Sequence, residues 1–321
     1  MDFIKTLYEK VNFHPLQGYA LFYYHNGKTY SKCQGKLESK SSSDITFNSN
    51  FRLASVTKQF IAFSIVKLIN DGMLSYDTCI LDIYNDLPCY FKDITIKHLL
   101  THTSGILDYE DMEHTDAQIK DEDIIDFLKN TDRTFFTPGE CYKYSNTAYI
   151  LLGLIISKVS SRALDEFIET EIFKKAGMIN SKVNYEGKTN VLERAYGHLL
   201  ENDQILVKDQ YWCSATIGDG GLYSSINDLK KWLRFLVESD EYKSMKIPNI
   251  AGNYNEYGLG IRIIDVLGSE IIYHSGSTIG TKTLILFSED LDLCLIFLTN
   301  FNDFNGTTLK EVLVEYLLNK E

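Results

Sequence analysis

The sequence lacks long apolar runs, an excess of positive charge and any C-x-x-C pair among its six cysteines. A transmembrane helix needs about 18 or more consecutive apolar residues, so none is predicted. The net charge of −12 repels phosphate backbones, which makes nucleic acid an unexpected partner. Without C-x-x-C pairs, neither a disulfide scaffold nor a zinc ribbon is expected. The 321 residues are 44% hydrophobic, which is ample for a globular core.

The first residues also lack the features of a targeting segment. Residues 1–15 carry charges at Asp2, Lys5, Glu9 and Lys10 and have no apolar run long enough for a signal peptide. As written, the sequence predicts a cytoplasmic protein, in which free thiols are expected. The alternative is a periplasmic or secreted protein whose leader has been removed.

Several common catalytic signatures are missing as well. No Walker or dinucleotide-binding glycine pattern follows a predicted strand, and no G-x-S-x-G elbow is present. His98 and His102 have the spacing of zinc peptidases in "HLLTH", but Leu99 stands where the catalytic glutamate is needed. The spacing alone is a weak indication of a metal site, so neither a metal nor another cofactor is predicted.

What the sequence does contain is β-strand pattern at both ends and helical pattern between them. "GYALFYYHNGKTYSKCQG" has two β-rich runs joined by Asn26-Gly27, which is typical of a hairpin. Four further β runs lie between residues 257 and 300, before an amphipathic helix at about 304–319. Helices are also predicted near 56–71, 95–102, 121–130, 146–160, 162–175 and 226–238.

This order of elements predicts an α/β fold. An antiparallel sheet formed by both termini is flanked by helices, and a mainly helical subdomain is inserted into it. We place the α/β domain at residues 1–75 and 205–321 and the helical subdomain at 76–204.

Ser55 and Lys58, in the stretch "LASVTKQF", lie three positions apart where the helix 56–71 begins. The simplest interpretation is a helix cap, because serine is a favoured N-cap residue. Lys58 does not fit that interpretation, since a capping box has Glu or Gln there and a cation opposes the helix dipole. Residues i and i+3 share one face of a helix, so the amine could accept the serine proton. The pair is a candidate nucleophile with its base.

Two more motifs follow along the chain. Y-S-N at 144–146 directly precedes a strongly apolar helix, and H-S-G at 274–276 ends a predicted strand. Taken singly, Tyr144 could be a tyrosine at the edge of the core and Asn146 a helix N-cap.

The motif order Ser-x-x-Lys, Tyr-x-Asn, His-x-Gly resembles that of the penicillin-recognising serine hydrolases, whose class A version reads S-x-x-K, S-D-N and K-T-G. Because the second motif begins with tyrosine, the chain resembles the class C branch, from about residue 19 to 300. The stretches "GMLSYDTCI", "ITIKHLLTHTSGI", "PGECYKYSN" and "GDGGLYSSINDLKKWL" are similar to this family too. The resemblance implies the β-lactamase/DD-peptidase-like fold.

The resemblance also implies a role for each motif residue. Ser55 would be the acylated nucleophile and Lys58 its basic neighbour. Tyr144 would be the general base, as a phenolate or by sharing a proton with Lys58, and would return that proton to the leaving group. Asn146 would hold the substrate amide and help to orient Lys58.

The strand motif would close the far side of the site. His274 and Gly276 would contact the substrate, and Gly276 would let the strand pass close to it without a Cβ. The backbone N–H groups of Ser55 and Ser277 would form the oxyanion hole, in which each donor is worth about 2.7–4 kcal/mol.

Two departures from the family pattern limit the functional prediction. His274, mostly neutral at pH 7, stands where family β-lactamases have a carboxylate-binding lysine; some DD-peptidases, D-amino-acid hydrolases and esterases of the family carry histidine there. No glutamate is placed to activate a deacylating water, because Glu140 in "PGE" resembles a structural turn of the family. Tyr144 would then have to assist deacylation.

Three other stretches keep a structural interpretation. By resemblance, "HLLTH" is a helix turn of the family. "GDGG" at 218–221 has part of a chymotrypsin-type signature without its serine, and by resemblance it is a loop whose backbone borders the site. Tyr211 and Trp212, just before it, either line the pocket or are ordinary packing aromatics.

The predicted function is hydrolysis of an amide bond through an acyl-enzyme on Ser55, with β-lactamase-like or DD-peptidase-like activity. The expected substrate is a β-lactam or a D-amino-acid peptide, amide or ester. One alternative is a family esterase that acts on small esters. Another is a non-turnover protein that binds penicillin or peptidoglycan fragments, or that serves as a scaffold.

Overall fold

Both ends of the chain contribute strands to one six-stranded antiparallel sheet. In chain order the strands are β1 (Tyr19–His25), β2 (Lys28–Gln34), β3 (Phe51–Arg52), β4 (Lys182–Val183), β5 (His198–Glu201), β6 (Gln204–Val207), β7 (Leu222–Ser224), β8 (Arg262–Val266), β9 (Ser269–Thr278), β10 (Thr281–Ser288) and β11 (Leu293–Thr299). The large sheet has the order β2-β1-β11-β10-β9-β8. A small sheet has the order β3-β7-β4, and β5 pairs with β6.

The structure is a computed structural model that describes residues 3–11, 13–15, 17–111, 117–185, 188–202, 204–246, 256–302 and 306–319. Its helices are α1 (Phe3–Lys10), α2 (Thr57–Asn70), α3 (Ile80–Ile83), α4 (Ile96–Leu100), α5 (Asp121–Lys129), α6 (Asn146–Ser160), α7 (Leu164–Ile168), α8 (Lys174–Ala176), α9 (Ile226–Val237), α10 (Asp240–Met245) and α11 (Gly306–Leu318). Short 3₁₀ turns include Ala54–Val56 and Tyr109–Asp111, and a π-helical turn lies at Glu169–Phe173.

The N-terminal hairpin forms as its turn residues predict. Asn26 and Gly27 both have positive φ angles, +48° and +75°. Two such residues in succession form the turn whose twist matches that of paired strands. The adjoining residues His25 and Lys28 pair directly, and β1 places the hairpin beside β11.

Both faces of the large sheet are covered. Along β11, Ile296 and Leu298 belong to the main core shared with the central helices, whereas Leu295 and Phe297 belong to a second core with α1 and α11. Because alternate residues of a strand point to opposite faces, burial on both sides explains the nearly continuous apolar run of this strand.

The helices α2 and α6 contact each other in the main core. Almost every residue of α2 from Thr57 to Leu68 is buried, and α6 is buried along most of its length. A helix that is apolar on all sides is expected in the interior of a protein. The two helices therefore hold fixed positions from which their first residues reach the same cavity.

Several elements differ from the predictions. The helix expected at 162–175 is interrupted, because α7 and α8 are separated by the π-helical turn, although it ends at Gly177 as expected. The helix α1, the small sheet and the β5–β6 hairpin were not predicted. The boundaries of the two domains, 1–75 with 205–321 and 76–204, stay a prediction.

Among the described residues no single helix is long and apolar enough to cross a membrane; only the pair Asn146–Ser160 and Leu164–Ala176, bent by 82°, meets the length and composition required.

Candidate active site

Ser55 lies in the 3₁₀ turn Ala54–Val56, directly before α2. The start of α2 has no side-chain cap hydrogen bond, so the cap interpretation of Ser55 is wrong. The preceding residue, Ala54, has a φ of +47°, which is unusual for a residue with a Cβ and is often found at functional sites. The turn presents Ser55 to the cavity between the sheet and the helices.

Lys58 is fully buried and its Nζ atom has three oxygen neighbours. Ser55 Oγ lies at 3.2 Å, Asn146 Oδ1 at 2.7 Å and the backbone oxygen of Asp219 at 2.8 Å. The amide and backbone oxygens accept hydrogen bonds and cannot donate them. Two hydrogen bonds of the amine therefore go to oxygens that have no proton to give, and Ser55 Oγ is the one neighbour with which it can exchange a proton. This geometry is suited to taking the serine proton.

Asn146 is the first residue of α6, and Ser145 is the cap of that helix. The Ser145 hydroxyl accepts a hydrogen bond from the Ala148 N–H at 3.1 Å, so the cap interpretation of Asn146 is wrong. The Asn146 side chain is free to accept from Lys58, and its backbone N–H donates to Asp108 Oδ2 at 2.6 Å. The start of α6 is thus fixed by two hydrogen bonds, one between the Asn146 side chain and Lys58 and one between the Asn146 backbone and Asp108.

Tyr144 is half-buried beside these groups. Its ring centroid lies 5.0 Å from Lys58 Nζ and 5.7 Å from the Arg262 guanidinium carbon. The ring of His102 packs on it with centroids 4.2 Å apart. These two cation–π contacts and the ring contact with His102 therefore help to hold the phenol next to the Ser55–Lys58 pair.

His102 organises the backbone of the second motif. Its Nδ1 accepts the Ser145 N–H at 3.1 Å, and its backbone oxygen accepts the Lys143 N–H at 2.9 Å. Burial holds the pKa of His102 well below its usual range, so the imidazole is neutral. His98 caps α4 instead, by accepting the Thr95 N–H. No group of three or more potential metal-ligating side chains occurs in the described ranges.

His274, in β9, is buried and neutral. Its Nδ1 lies 2.8 Å from the backbone oxygen of Ser275, and Nε2 lies 3.2 Å from Tyr257 Oη. Because a carbonyl oxygen only accepts, Nδ1 carries the proton and Nε2 accepts from the tyrosine. Burial lowers the pKa of His274 to about 3, and the charges of Arg262 and Lys58 add to the shift. This position supplies no positive charge at neutral pH.

Gly276 lets β9 approach the turn that carries Ser55. A Cβ at this position would lie 2.2 Å from the Leu53 oxygen and 2.4 Å from Thr283 Oγ1. The glycine is explained by these contacts with the Leu53 oxygen and the Thr283 hydroxyl, and its role in letting the strand pass close to a substrate stays a prediction. The close contact brings the next residue, Ser277, to the wall of the same cavity as Ser55.

The "GDGG" loop at 218–221 shapes the cavity through its backbone, as expected. The Asp219 oxygen accepts from Lys58, and the Gly220 oxygen accepts from Arg52 Nε at 3.1 Å. Behind the loop, the buried Asp121 carboxylate accepts the N–H groups of Ile217 and Gly218 at 2.6 and 3.1 Å. The loop is therefore held by Lys58 and Arg52 through its backbone oxygens and by Asp121 through its backbone N–H groups.

The cavity is lined by residues from all these elements: Arg52, Ala54, Ser55, Tyr109, Glu110, Asn146, Cys213, Asp219, Gly220, Ser277 and Thr278. Among the described residues Trp212 and Tyr211 are not part of this wall. Trp212 packs against the ring of Tyr109, with centroids 5.7 Å apart, and Tyr211 is half exposed. The packing interpretation of the two aromatics is the one that the structure supports.

Sequence reasoning missed the side chains of Glu110 and Asp219 in this wall. Both lie in or next to stretches whose similarity to the family was noticed, after "HTSGI" and within "GDGG". That position was the available signal, because a stretch that borders a family's active site can contribute side chains as well as backbone. The two residues are distant in sequence, so their proximity was not predictable from spacing.

Comparison with known proteins agrees with this geometry. The sequence model of the Beta-lactamase family matches residues 5–316. The chain belongs to the beta-lactamase family. Penicillin-binding protein 4* of Bacillus subtilis is 29% identical over 92% of this chain and 71% of its own length. Protein flp of Staphylococcus aureus (strain N315) is 26% identical over 97% of this chain but only 66% of its own length, so the chain spans about two thirds of that relative.

Solved structures show the same fold. The octameric penicillin-binding protein homologue from Pyrococcus abyssi has a TM-score of 0.82 and 26% identity, covering 99% of this chain and 76% of its own. The D-amino acid amidase from Ochrobactrum anthropi SV3 has a TM-score of 0.80 and 23% identity, covering 99% of both chains. The predicted fold class, a β-lactamase/DD-peptidase-like fold built on an antiparallel sheet from both termini, is confirmed.

Proposed function

We propose that this chain is a serine hydrolase that cleaves an amide bond through an acyl-enzyme on Ser55. The observation that carries the proposal is the environment of Lys58 Nζ. It is buried, two of its hydrogen bonds go to oxygens that only accept, and its third neighbour is Ser55 Oγ at 3.2 Å. A lysine with a purely structural role would be satisfied by the two oxygens that accept from it. It would not need a serine hydroxyl in a cavity wall as its third neighbour.

In the acylation step Ser55 Oγ attacks the carbonyl carbon and its proton passes to the Lys58–Tyr144 pair. The backbone N–H groups of Ser55 and Ser277 stabilise the oxyanion, and each such donor contributes about 2.7–4 kcal/mol. The tetrahedral intermediate collapses, the C–N bond breaks, and the proton goes to the leaving amine. A water then attacks the acyl carbon and gives its proton to Tyr144. The bond between the acyl carbon and Ser55 Oγ breaks, the proton passes from Tyr144 to this oxygen, and the acid is released.

The sheet side favours peptide-like substrates over β-lactams. A β-lactam carboxylate is recognised by the family's lysine in the third motif, and His274 provides a neutral ring that is already bonded to Tyr257. Asn146 remains beside the nucleophile to hold a substrate amide. The fold of the D-amino acid amidase from Ochrobactrum anthropi is the same, which adds amides of D-amino acids as the first substrate class to test.

The test is a substrate panel on the wild type and on Ser55→Ala. D-Alanine p-nitroanilide, a D-Ala-D-Ala peptide, a chromogenic cephalosporin and p-nitrophenyl butyrate cover amidase, DD-peptidase, β-lactamase and esterase activity. We expect turnover of the D-amino-acid amides, with no turnover by Ser55→Ala. The matched control is Ser42→Ala, which changes an exposed serine in a loop.

Other outcomes contradict parts of the proposal. Turnover of the butyrate ester alone would identify an esterase. Covalent labelling of Ser55 by a fluorophosphonate without turnover of any substrate would identify a binding protein. Activity that survives in Ser55→Ala would remove the nucleophile assignment altogether.

A further inference from the structure

The glycine-rich loop at 218–221 supplies one of the acceptors of the Lys58 amine. The backbone oxygen of Asp219 lies 2.8 Å from Lys58 Nζ. The loop lies directly on the backbone of α6, because a Cβ on Gly218 would be 2.5 Å from the backbone oxygen of Tyr149. A displacement of the loop therefore also displaces an acceptor that fixes the direction of the amine.

Asp121, the first residue of α5, supports this loop from a second cavity. Its carboxylate accepts the Ile217 N–H at 2.6 Å and the Gly218 N–H at 3.1 Å. The second cavity has a volume of about 580 Å³ and shares no lining residue with the cavity of Ser55. Gly153 of α6 leaves room for the contact, since a Cβ there would lie 3.3 Å from Gly218 Cα and 3.9 Å from Asp121 Oδ2. Asp121 thus supports the loop without being part of the substrate cavity.

Among the described residues no cation pairs with the Asp121 carboxylate. The residue is 6% exposed. Burial raises the pKa of Asp121 to about 8, and the charges of Asp219 and Glu122 add to the shift, although the two N–H groups oppose it. Because a buried carboxylate without a counter-charge is unfavourable, stability alone would favour a neutral side chain at this position.

The two forms of the Asp121 carboxyl hold the loop differently. An ionised carboxylate only accepts, so its two oxygens serve the Ile217 and Gly218 N–H groups together. In the protonated form one oxygen carries a proton, which makes it the weaker acceptor and turns an O–H group toward the loop. The pair of contacts at 2.6 and 3.1 Å is therefore that of the ionised carboxylate.

The charged and titratable groups around Asp121 come from several elements, whereas α6 faces it with Gly153 and Leu154 and no charge. They are Asp219 of the loop, Lys120 and Glu122 beside Asp121, Tyr185 and Lys188 after β4 and, next to Tyr185, Asp165 of α7. Burial raises the pKa of Tyr185 above its usual range, so its hydroxyl stays protonated at neutral pH. Asp121 is the member of this set that accepts from the loop N–H groups, so its charge decides how the loop is held.

We propose that Asp121 is a positioning residue for acylation, whose ionised carboxylate holds the loop so that the Asp219 oxygen directs the Lys58 amine at Ser55. This inference rests on the proposed roles of Ser55 and Lys58. Neutralising Asp121 weakens the hold on one loop N–H group, the Asp219 oxygen shifts, and the amine loses part of its orientation. A misplacement of about 1 Å that originates far from the chemistry can cost about 10²-fold in rate. The acid is kept at a cost in stability because the reaction needs its charge.

Hydrogen exchange of the wild type tests the hold on the loop without any variant. After correction for the intrinsic exchange rate, the Ile217 and Gly218 amides should be about tenfold better protected at pH 9 than at pH 6, because the carboxylate that accepts from them ionises in this range. Equal protection at the two pH values contradicts the role of the ionised form.

Thermal unfolding tests whether the same ionisation costs stability. The aspartate pKa is about 4 in an unfolded chain and is raised to about 8 in the folded protein. The stability that the protonated form provides is therefore complete below about pH 4 and is lost as the pH rises through about 8. The thermal midpoint of the wild type should fall by several degrees relative to that of Asp121→Asn between pH 5 and 9. A constant difference contradicts the ionisation of a buried Asp121.

Labelling of Ser55 by a fluorophosphonate tests the positioning role without requiring the cleavage of an amide. The second-order rate constant of labelling is measured for the wild type and Asp121→Asn between pH 6 and 9. Because asparagine has one acceptor oxygen for the two N–H groups, we expect the variant to react about tenfold more slowly at pH 9 and at nearly the wild-type rate at pH 6. The ratio of the two profiles removes the titrations that both proteins share, and it should rise with an apparent pKa near 8.

The matched control is Asp126→Asn, which removes an exposed carboxylate from the same helix and should keep the wild-type rate at every pH. A ratio that is constant across the pH range overturns the positioning role, whether the variant is slower or not. If Ser55 is labelled with the expected pH dependence but the wild type cleaves no amide, the proposed hydrolysis fails and the positioning role stands. A wild type that is not labelled on Ser55 removes both.

Discussion

The helical and sheet sides of the Ser55 cavity differ in what they supply. On the helical side, the turn before α2, α2 itself and α6 bring Ser55, Lys58 and Asn146 into one hydrogen-bonded group. On the sheet side, β9 brings His274, which is neutral and already bonded to Tyr257. The helical side therefore has the groups that acyl transfer needs, whereas the sheet side lacks the positive charge that would bind a substrate carboxylate. The residues that set the reaction and those that select the substrate lie on different walls of the cavity.

Removing the Lys58 amine, on the helical side, has the largest expected effect on catalytic activity. Lys58→Ala takes away the proton acceptor of Ser55 and leaves the oxygens of Asn146 and Asp219 without their donor. We expect kcat to fall on the order of 10³-fold. Initial rates with D-alanine p-nitroanilide check this, and Lys174→Ala, in α8, is the control for a change of charge. A loss below tenfold would show that the amine is structural.

Replacing the phenol of Tyr144 tests the second proton carrier. Tyr144→Phe keeps the ring contacts with His102 and Lys58 but removes the hydroxyl. We expect kcat to fall about 10²-fold with little change in the thermal midpoint, because general acid–base groups contribute factors of this size. Burst kinetics check which step slows. An unchanged kcat would leave Lys58 as the sole base.

The sheet side is tested by replacing His274 with the lysine that family β-lactamases have in the third motif. His274→Lys places an ammonium where the neutral ring stands, so acylation by a penicillin should rise about tenfold relative to a neutral ester. The ratio of the two acylation rates is measured by stopped flow. His274→Gln is the control, because it replaces the ring without adding a charge. Equal changes for penicillin and ester would refute a carboxylate-facing role for this position.

The sequence was most informative where the chemistry is local. Ser55 and Lys58 are three positions apart, so helix geometry alone places them together. The turn at Asn26-Gly27 and the strands of the large sheet were predictable because turn residues and apolar runs mark them. The small sheet was not, since β3 and β4 are two residues each and too short for an alternating pattern.

The proximity of Glu110 and Asp219 in the cavity wall was not predictable from the sequence, for a different reason. Glu110 and Asp219 meet only because the turn before α5 and the glycine-rich loop face the same cavity. The choice between a cap and a site role for Asn146 could not be made from local sequence either, since Ser145 and Asn146 are both good cap residues and only their tertiary contacts distinguish them. Tertiary contacts decide these cases, and local preference does not.

Mass spectrometry of the acylated protein tests the central claim most directly. Wild-type protein is mixed with a fluorophosphonate, digested and mapped, with Ser55→Ala and Ser42→Ala treated in parallel. The account predicts a single adduct on the peptide that contains Ser55, present in Ser42→Ala and absent in Ser55→Ala. An adduct on another residue, or equal labelling of Ser55→Ala, would contradict it.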